Sequence, residues 1–400
     1  MSDTLQNTPI IDMDAHVTEP ADLWTSRMPK KWVAHSPQLR WSDKAGEDIW
    51  MMDDIPVSAV GQYSVAGWPE YIPSRPHKLE EADPACSDPK ARLVTMDEHG
   101  IAAQVIYPNL IGFCPKDFLT QAANLNQPDF AAACVAACND FHADFASEDP
   151  NRIIPLMMLP FWDMDASMRE LDRALALGHR GVIMAAHFEA LGIGLPPLWD
   201  AHWEPLLDAV SERGLSLNFH IGFGLNTGRD LVDTWAGGQM TSADRAGMAC
   251  LTFLANARTI TEVVCSGLCH RYPDINFVSV ESGASWLPFL VEAMDWNWKN
   301  YGAYLEFPDR ELPSFYFKRQ VYGSFWFEQE AVSRVVDLFP DNLMFETDFP
   351  HPISLSPGPC SSAGNPRAMA ESAMAGQPDD IVRKVFHDNA ARLYNLPPLA

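Results

Sequence analysis

Short apolar runs rich in β-branched and aromatic residues alternate along this chain with longer stretches of helical periodicity, over nearly its whole length. Eight such runs can be delimited: Pro9–His16 (PIIDMDAH), Ala102–Asn109 (AAQVIYPN), Arg152–Pro160 (RIIPLMMLP), Gly181–His187 (GVIMAAH), Leu215–Gly222 (LSLNFHIG), Ile275–Ser282 (INFVSVES), Val321–Trp326 (VYGSFW) and Leu343–His351 (LMFETDFPH). Alternation of this kind is the mark of repeated βα units and a parallel sheet. Crossover helices are expected between the runs, among them Ala166–Leu177, stopped by Gly178, and His202–Glu212, stopped by Gly214. Eight strands with intervening helices suit a closed (β/α)8, or TIM, barrel of class α/β. The competing fold is an open doubly wound sheet. Its phosphate-binding glycine signature is missing, since Gly222, Gly224 and Gly228 have the wrong spacing and follow the fifth run.

Two stretches break the alternation. Residues of about 20–95 are rich in Trp, Pro and polar residues, and residues of about 353–379 are rich in Gly, Ser, Pro and Ala. Both read as loop insertions after the first and eighth strands of one domain spanning 1–400. Loops leaving the C-terminal ends of barrel strands surround the active site, so these two are expected to wall or cover it.

With 47% hydrophobic residues and a mean hydropathy of −0.13, the chain can bury a full core. A net charge of −25 repels a phosphate backbone, which excludes nucleic acid as a partner. The first residues lack a basic start and an apolar core, and no later run approaches the ~18 apolar residues of a membrane span. A cytoplasmic location and no membrane partner are therefore expected. The eight cysteines are too scattered for a disulfide scaffold and are read as thiols, with Cys134/Cys138 and Cys265/Cys269 paired at i, i+4 on helices as core residues.

Ionisable residues gather where a hydrophobic core does not ask for them, at the C-terminal ends of the runs. In Asp12-Met13-Asp14-Ala15-His16 every second position is polar, so a strand points all three to one side with Asp14 and His16 nearest the mouth. His220 ends the fifth run, Glu281 the sixth, and Asp348 lies in the eighth. Imidazole and carboxylate ligands suit Zn2+, Mn2+ or Fe2+, and a catalytic ion needs three or four of them with one position open. One divalent ion held by Asp14, His16, His220 and Asp348 is the expectation, zinc first. Taken singly, a strand-end His is commonly a satisfied hydrogen-bonding residue and an Asp there commonly caps the next helix; four such coincidences at one barrel mouth are hard to arrange. His187, which ends the fourth run, and His351, which follows the Asp348 turn where loop packing is its other reading, are second-rank candidates, His187 as a catalytic residue, and the remaining histidines are read as surface or packing residues.

At these residues the chain resembles the amidohydrolase-related branch that includes aminocarboxymuconate-semialdehyde decarboxylase and the γ-resorcylate and dihydroxybenzoate decarboxylases. The likeness runs through Asp14-Ala15-His16-Val17-Thr18-Glu19-Pro20, Met96-Asp97-Glu98-His99-Gly100-Ile101, Gly178-His179-Arg180-Gly181-Val182, Leu217-Asn218-Phe219-His220, Glu281-Ser282-Gly283-Ala284-Ser285-Trp286-Leu287-Pro288, Glu346-Thr347-Asp348-Phe349-Pro350-His351 and Asp388-Asn389-Ala390-Ala391-Arg392-Leu393-Tyr394. The resemblance implies the same single ion on Asp14, His16, His220 and Asp348, and by analogy a homodimer. Two positions depart from it. Relatives carry His-x-His or Glu-x-His where this chain has Asp14-x-His16, and the sixth-strand His that acts as acid/base in the decarboxylases is here Glu281.

The reading that follows is a hydrolase acting on a small carboxylated or aromatic substrate through metal-activated water, with Asp348 and Glu281 moving protons. Non-oxidative decarboxylation of an aromatic or muconate-type acid is the alternative within the family, and a non-catalytic ligand-binding barrel is the rival outside it. Arg75 or Arg229 is available to hold a substrate carboxylate.

Overall fold

The computed structural model describes residues 3–109, 128–185, 187–188, 193–222 and 240–396. All eight runs form strands, each shorter than the run that announces it. Strand β1 spans Ile10–His16; a separate antiparallel sheet of β2 (Gln38–Ser42), β3 (Glu47–Met52) and β4 (Ile55–Ala59) follows. The chain then returns to the main sheet as β5 (Ile101–Tyr107), β6 (Ile153–Pro155), β7 (Val182–Ile183), β8 (Ser216–His220), β9 (Asn276–Val280), β10 (Val321–Phe325) and β11 (Leu343–Phe345). The spatial order is β6-β5-β1-β11-β10-β9-β8-β7, with parallel neighbours. Its two ends meet through a parallel bridge between Met157 and Val182, where Met157 N–H donates to Gly181 O and Ile183 N–H to Met157 O, each at 2.9 Å. Eight parallel strands in cyclic chain order fit a TIM barrel.

The polar positions that alternate along β1 and β8 do not face solvent. Every residue of β1, β8 and β10 is buried, as expected for strands covered on both faces. The polar tails of the runs leave the ladder and carry the chemistry: Glu281 follows β9, and Glu346-Thr347-Asp348 follows β11. Crossover helices appear at Met164–Ala176 and Glu204–Glu212, and Gly178 and Gly214 after them take left-handed φ of 100° and 62°, which glycine reaches at little cost.

Some expectations need correction. The stretch after β1 is more than loop, since it holds β2–β4, and the helix Pro89–His99 begins inside it. The stretch after β11 likewise carries the helix Pro366–Ala373. Cys134 and Cys138 are buried on one helix, but Cys265 and Cys269 lie on two, Ala255–Cys265 and Leu268–Arg271, broken by Gly267 at φ 90°. The helical stretch Ser242–Cys265 reaches a mean hydropathy of 1.2, enough by length and composition to cross a membrane, where no such run was expected. It carries Asp244, Arg245, Arg258 and Glu262, and its second helix, Ala255–Cys265, packs on the strands, burying Ile260, Val263 and Val264 while Asn256 donates to Phe219 O at 2.8 Å.

One buried cation braces the mouth of β1. Arg92 is fully buried and donates to Ala85 O (2.7 Å), His16 O (2.6 Å) and Gln104 Oε1 (3.2 Å), with its guanidinium 4.5 Å from the Phe349 ring centroid. Arg92→Met keeps the apolar stem but strands three acceptors, and is expected to cost about 3 kcal/mol in urea denaturation. A loss below about 1 kcal/mol would make these bonds dispensable.

Candidate metal centre

The alternation in β1 sends Asp12, Asp14 and His16 to different tasks. Asp12 is consumed by structure: it accepts hydrogen bonds from Gln104 Nε2 (2.8 Å), Thr347 N (2.8 Å), Thr347 Oγ1 (2.6 Å) and Asp14 N (3.2 Å). These bonds sew β1 to β5 and to the residues after β11, while burial pushes its carboxyl up to about 7 against their opposing effect. Asp14 and His16 remain for the mouth. His220 ends β8, and Glu281 and Asp348 each stand just past a strand end in left-handed backbone, at φ 54° and 59°. Non-glycine residues pay roughly 1–3 kcal/mol for such conformations, which persist where the surroundings impose them, commonly at functional sites.

These side chains converge. His16 Nε2 lies 3.0 Å from His220 Nε2, 3.6 Å from Asp14 Oδ1 and 3.5 Å from Asp348 Oδ1; His220 Nε2 lies 3.5 Å from both Asp14 Oδ1 and Glu281 Oε2. Ligand atoms of Asp14, His16, His220 and Glu281 fall within 4.8 Å of one another, and so do those of His16, Glu281, Asp348 and His351. All four residues expected to hold an ion are therefore brought together, joined by Glu281 and His351.

The cluster has the chemistry of a cation site. His16 Nδ1 faces Pro108 O at 2.9 Å and His220 Nδ1 faces Ile221 O at 2.7 Å. A carbonyl can only accept, so each Nδ1 carries the proton and each neutral ring turns an Nε2 lone pair toward the other. Two lone pairs facing at 3.0 Å repel unless a cation sits between them. Both oxygens of Asp14 are buried without a hydrogen-bond donor among the described residues, a costly state that a positive ion relieves.

Electrostatics points the same way. Burial raises the Asp14 carboxyl, and burial with the nearby Glu281, Asp14 and Glu346 carboxyls holds Asp348 well above the usual range. Burial also lifts Glu281, to about 8, with Asp14 adding to the rise and His220 opposing it. His16 is held well below its ordinary value by burial and by His351 and His220. Burial would lower His220 too, but Asp14 and Glu281 outweigh it and raise the imidazole to about 9. Without a metal, a proton on His220 substitutes for the missing positive charge. Metal binding must expel it, so apparent affinity for Zn2+ or Mn2+ is expected to weaken as pH falls below about 9, by about tenfold per pH unit for that one proton. Titration calorimetry in buffers of different ionisation enthalpy measures this release, and a pH-independent affinity would contradict it.

Other expected residues lie elsewhere. His187 packs against the helix Ala255–Cys265, its Nε2 3.3 Å from Thr259 Oγ1 and its Nδ1 3.2 Å from Glu262 Oε2, away from the converging ligand atoms. Arg75 is taken by a bidentate pair with Glu47, at 2.8 and 2.6 Å. Arg229 lies outside the described residues.

Two residues at the site, Glu346 and Glu328, escaped the sequence reading, and a third was ranked too low. His351, a second-rank candidate, stacks on His16 at a centroid distance of 3.6 Å, with Nδ1 3.0 Å from Asp348 Oδ1 and Nε2 2.6 Å from Asn109 Oδ1. Its signal was the three-residue spacing from Asp348. Glu346 is fully buried and accepts from Ser324 Oγ (2.5 Å) and Glu281 N (3.2 Å), fixing the backbone of Glu281; it shares the alternation parity of Asp348. Glu328 accepts from Ala284 N (2.7 Å), Ser285 N (3.0 Å) and Ser285 Oγ (3.0 Å), and no local pattern marked it. The Ala284 N–H that could have occupied the Glu281 carboxylate is thus spoken for.

Comparison with known proteins places this geometry in context. The family model described as Amidohydrolase matches residues 11–396. The 2-amino-3-carboxymuconate-6-semialdehyde decarboxylase of Dictyostelium discoideum is 24% identical over 356 residues, 84% of this chain and 83% of that protein. Among solved structures, an amidohydrolase from Mycobacterium avium subsp. paratuberculosis K-10 superposes with a TM-score of 0.71 at 19% identity, covering 97% of this chain and 98% of the other. A dihydroxybenzoic acid decarboxylase from Polaromonas sp. JS666, solved with bound manganese and 2-nitroresorcinol, gives 0.61 at 17% identity, with 97% of each chain covered. With the family matched over nearly the whole length and a cation-shaped cluster at its strand ends, the chain is a metal-dependent enzyme belonging to the amidohydrolase family.

Proposed function

We propose that this protein is a divalent-metal-dependent, non-oxidative decarboxylase of a small aromatic or muconate-type acid. The observation that carries the reading is the buried His16–His220–Asp14–Asp348 cluster with Glu281 on its most open side: the Glu281 side chain is 13% exposed, against 0–2% for those four. Hydrolysis was the first expectation from ligand chemistry alone. The relatives named above with a stated activity are decarboxylases, which favours the alternative.

A divalent ion in the cluster would bind and polarise a substrate oxygen and offset the carboxylate charge. Zinc is our first choice from the mixed nitrogen and oxygen donors, with Mn2+ or Fe2+ also suited. The chain itself supplies the proton traffic. Cleavage of the bond between the ring or chain carbon and its carboxylate leaves the electron pair on that carbon as CO2 departs, and the carbon then takes a proton. Glu281 is placed to give it, because burial around it and the nearby Asp14 carboxyl keep that proton bound near neutral pH. Glu346 keeps the Glu281 backbone in position through the Glu281 N–H.

Metal-loaded protein offered a panel of hydroxybenzoates and muconates is expected to release CO2 from at least one of them and to return the protonated product, and chelation is expected to abolish this. Ester or amide hydrolysis with no CO2 release from any acid would overturn the proposal.

A further inference from the structure

A cavity of about 470 Å3 lies between residues 65–72, in the excursion after β1, and residues 351–363, after β11. Its volume falls within the ~300–1,000 Å3 typical of small-molecule sites. His351 is one of its lining residues, and the same imidazole stacks on His16 and touches Asp348, so the cavity abuts the cation cluster. Its walls are tied down: Val65 N–H donates to Pro350 O at 3.1 Å, and Gly358 packs so closely on Gly67 that a Cβ there would stand 3.1 Å from the Gly67 Cα.

The lining is apolar and aromatic at Trp68, Tyr71, Phe327 and Ile353, and the last three are 75%, 47% and 53% exposed. Ile353 is the informative one. It holds φ 65°, a left-handed conformation that is a genuine outlier for a β-branched residue, and half of it faces solvent. Neither backbone preference nor core burial asks for isoleucine there; a ligand resting on its side chain does. Among the described lining residues no Lys or Arg appears, and Glu70 is the one carboxylate, on a chain of net charge −25. A remote carboxylate on a ligand would meet repulsion and, among the described residues, find neutral groups such as the hydroxyls of Ser354 and Ser361 and no Lys or Arg to offset its charge.

We propose that this cavity receives the body of the substrate and selects monocarboxylic acids whose remote part is apolar or aromatic, rejecting acids that carry a second carboxylate there. The inference rests on the cation cluster taking the reacting carboxylate end, as proposed above.

Matched pairs test it on zinc-loaded full-length protein by titration calorimetry: 4-isopropylbenzoate against terephthalate, and biphenyl-4-carboxylate against biphenyl-4,4′-dicarboxylate. At least one monoacid is expected to bind tenfold or more tightly than its diacid. Ile353→Asn, which suits left-handed backbone, is expected to leave Tm unchanged or raised while weakening monoacid binding about tenfold, a step of ~1.4 kcal/mol. Ile353→Arg is expected to narrow or reverse the preference for the monoacid. Equal binding within both pairs, or unaltered monoacid binding in Ile353→Asn, would overturn the assignment. Monoacid-selective binding with no CO2 release from any acid would sink the decarboxylase reading and leave the cavity assignment standing. CO2 release from some other acid with neither monoacid bound would do the reverse.

Discussion

Replacing His220 by alanine or Asp348 by asparagine is expected to lower turnover by roughly three orders of magnitude with the fold intact. His220→Ala removes one of two imidazoles whose Nε2 atoms face each other at 3.0 Å, and with it the nitrogen donor also nearest to Asp14 and Glu281. Asp348→Asn keeps shape and the backbone bond from Asp348 N to Asp14 O at 2.9 Å, but withdraws a charged ligand oxygen. Metal content should fall in both, while circular dichroism stays native. Asp348→Asn carries a second, opposite signature. In metal-free protein Asp348 is crowded by Glu281, Asp14 and Glu346, so removing its charge should leave the apo form melting no lower than wild type. Near-wild-type turnover in either variant would return these residues to a structural role.

Glu281→Gln is expected to cost roughly 10²–10⁴ in turnover and to erase one limb of the pH–rate profile, with metal content nearly unchanged. Glu281 is the most open member of the cluster and its carboxyl is pushed up to about 8, so it can hold a proton near neutrality and exchange it with solvent. Glutamine preserves the shape and the backbone N–H bond to Glu346 while ending proton transfer. Loss of the ion in this variant would instead make Glu281 a ligand, an assignment its distance of 3.5 Å from His220 Nε2 also permits. Unchanged turnover and pH profile would reject a catalytic role.

Much of this was legible before any coordinates. The eight strands could be read because parallel strands covered on both faces are written as short, mostly apolar, β-rich runs, and every residue of β1, β8 and β10 is indeed buried. The candidate ligands could be read because Asp14, His16, His220 and Asp348 interrupt or end such runs where burial alone gives no reason for them. Strand lengths were less legible: the run Leu343–His351 keeps only Leu343–Phe345 in the ladder, and Asp348 beyond it turns left-handed, at φ 59°. The break between Cys265 and Cys269 was missed because Gly267 looks like any helix glycine until Arg310 packs where a Cβ would stand.

Sequence by itself determined the succession of eight strands and the placing of Asp14, His16, His220 and Asp348 at their ends, since each is written in local periodicity and residue type, while Glu281 stands out through the resemblance to the decarboxylases. Tertiary structure alone decided who stands around them. His351 meets Asn109 across 242 positions, Glu328 reaches Ala284 across 44, and Arg92 reaches the His16 carbonyl across 76. It also took Arg75 out of contention by pairing it with Glu47, and set His187 against a wall helix. Periodicity reports which face of an element a residue occupies, but not which distant partner fills that space. That partner is fixed by closure of the sheet, which brings strand ends far apart in the chain to a common mouth, where buried polar groups must find each other or an ion.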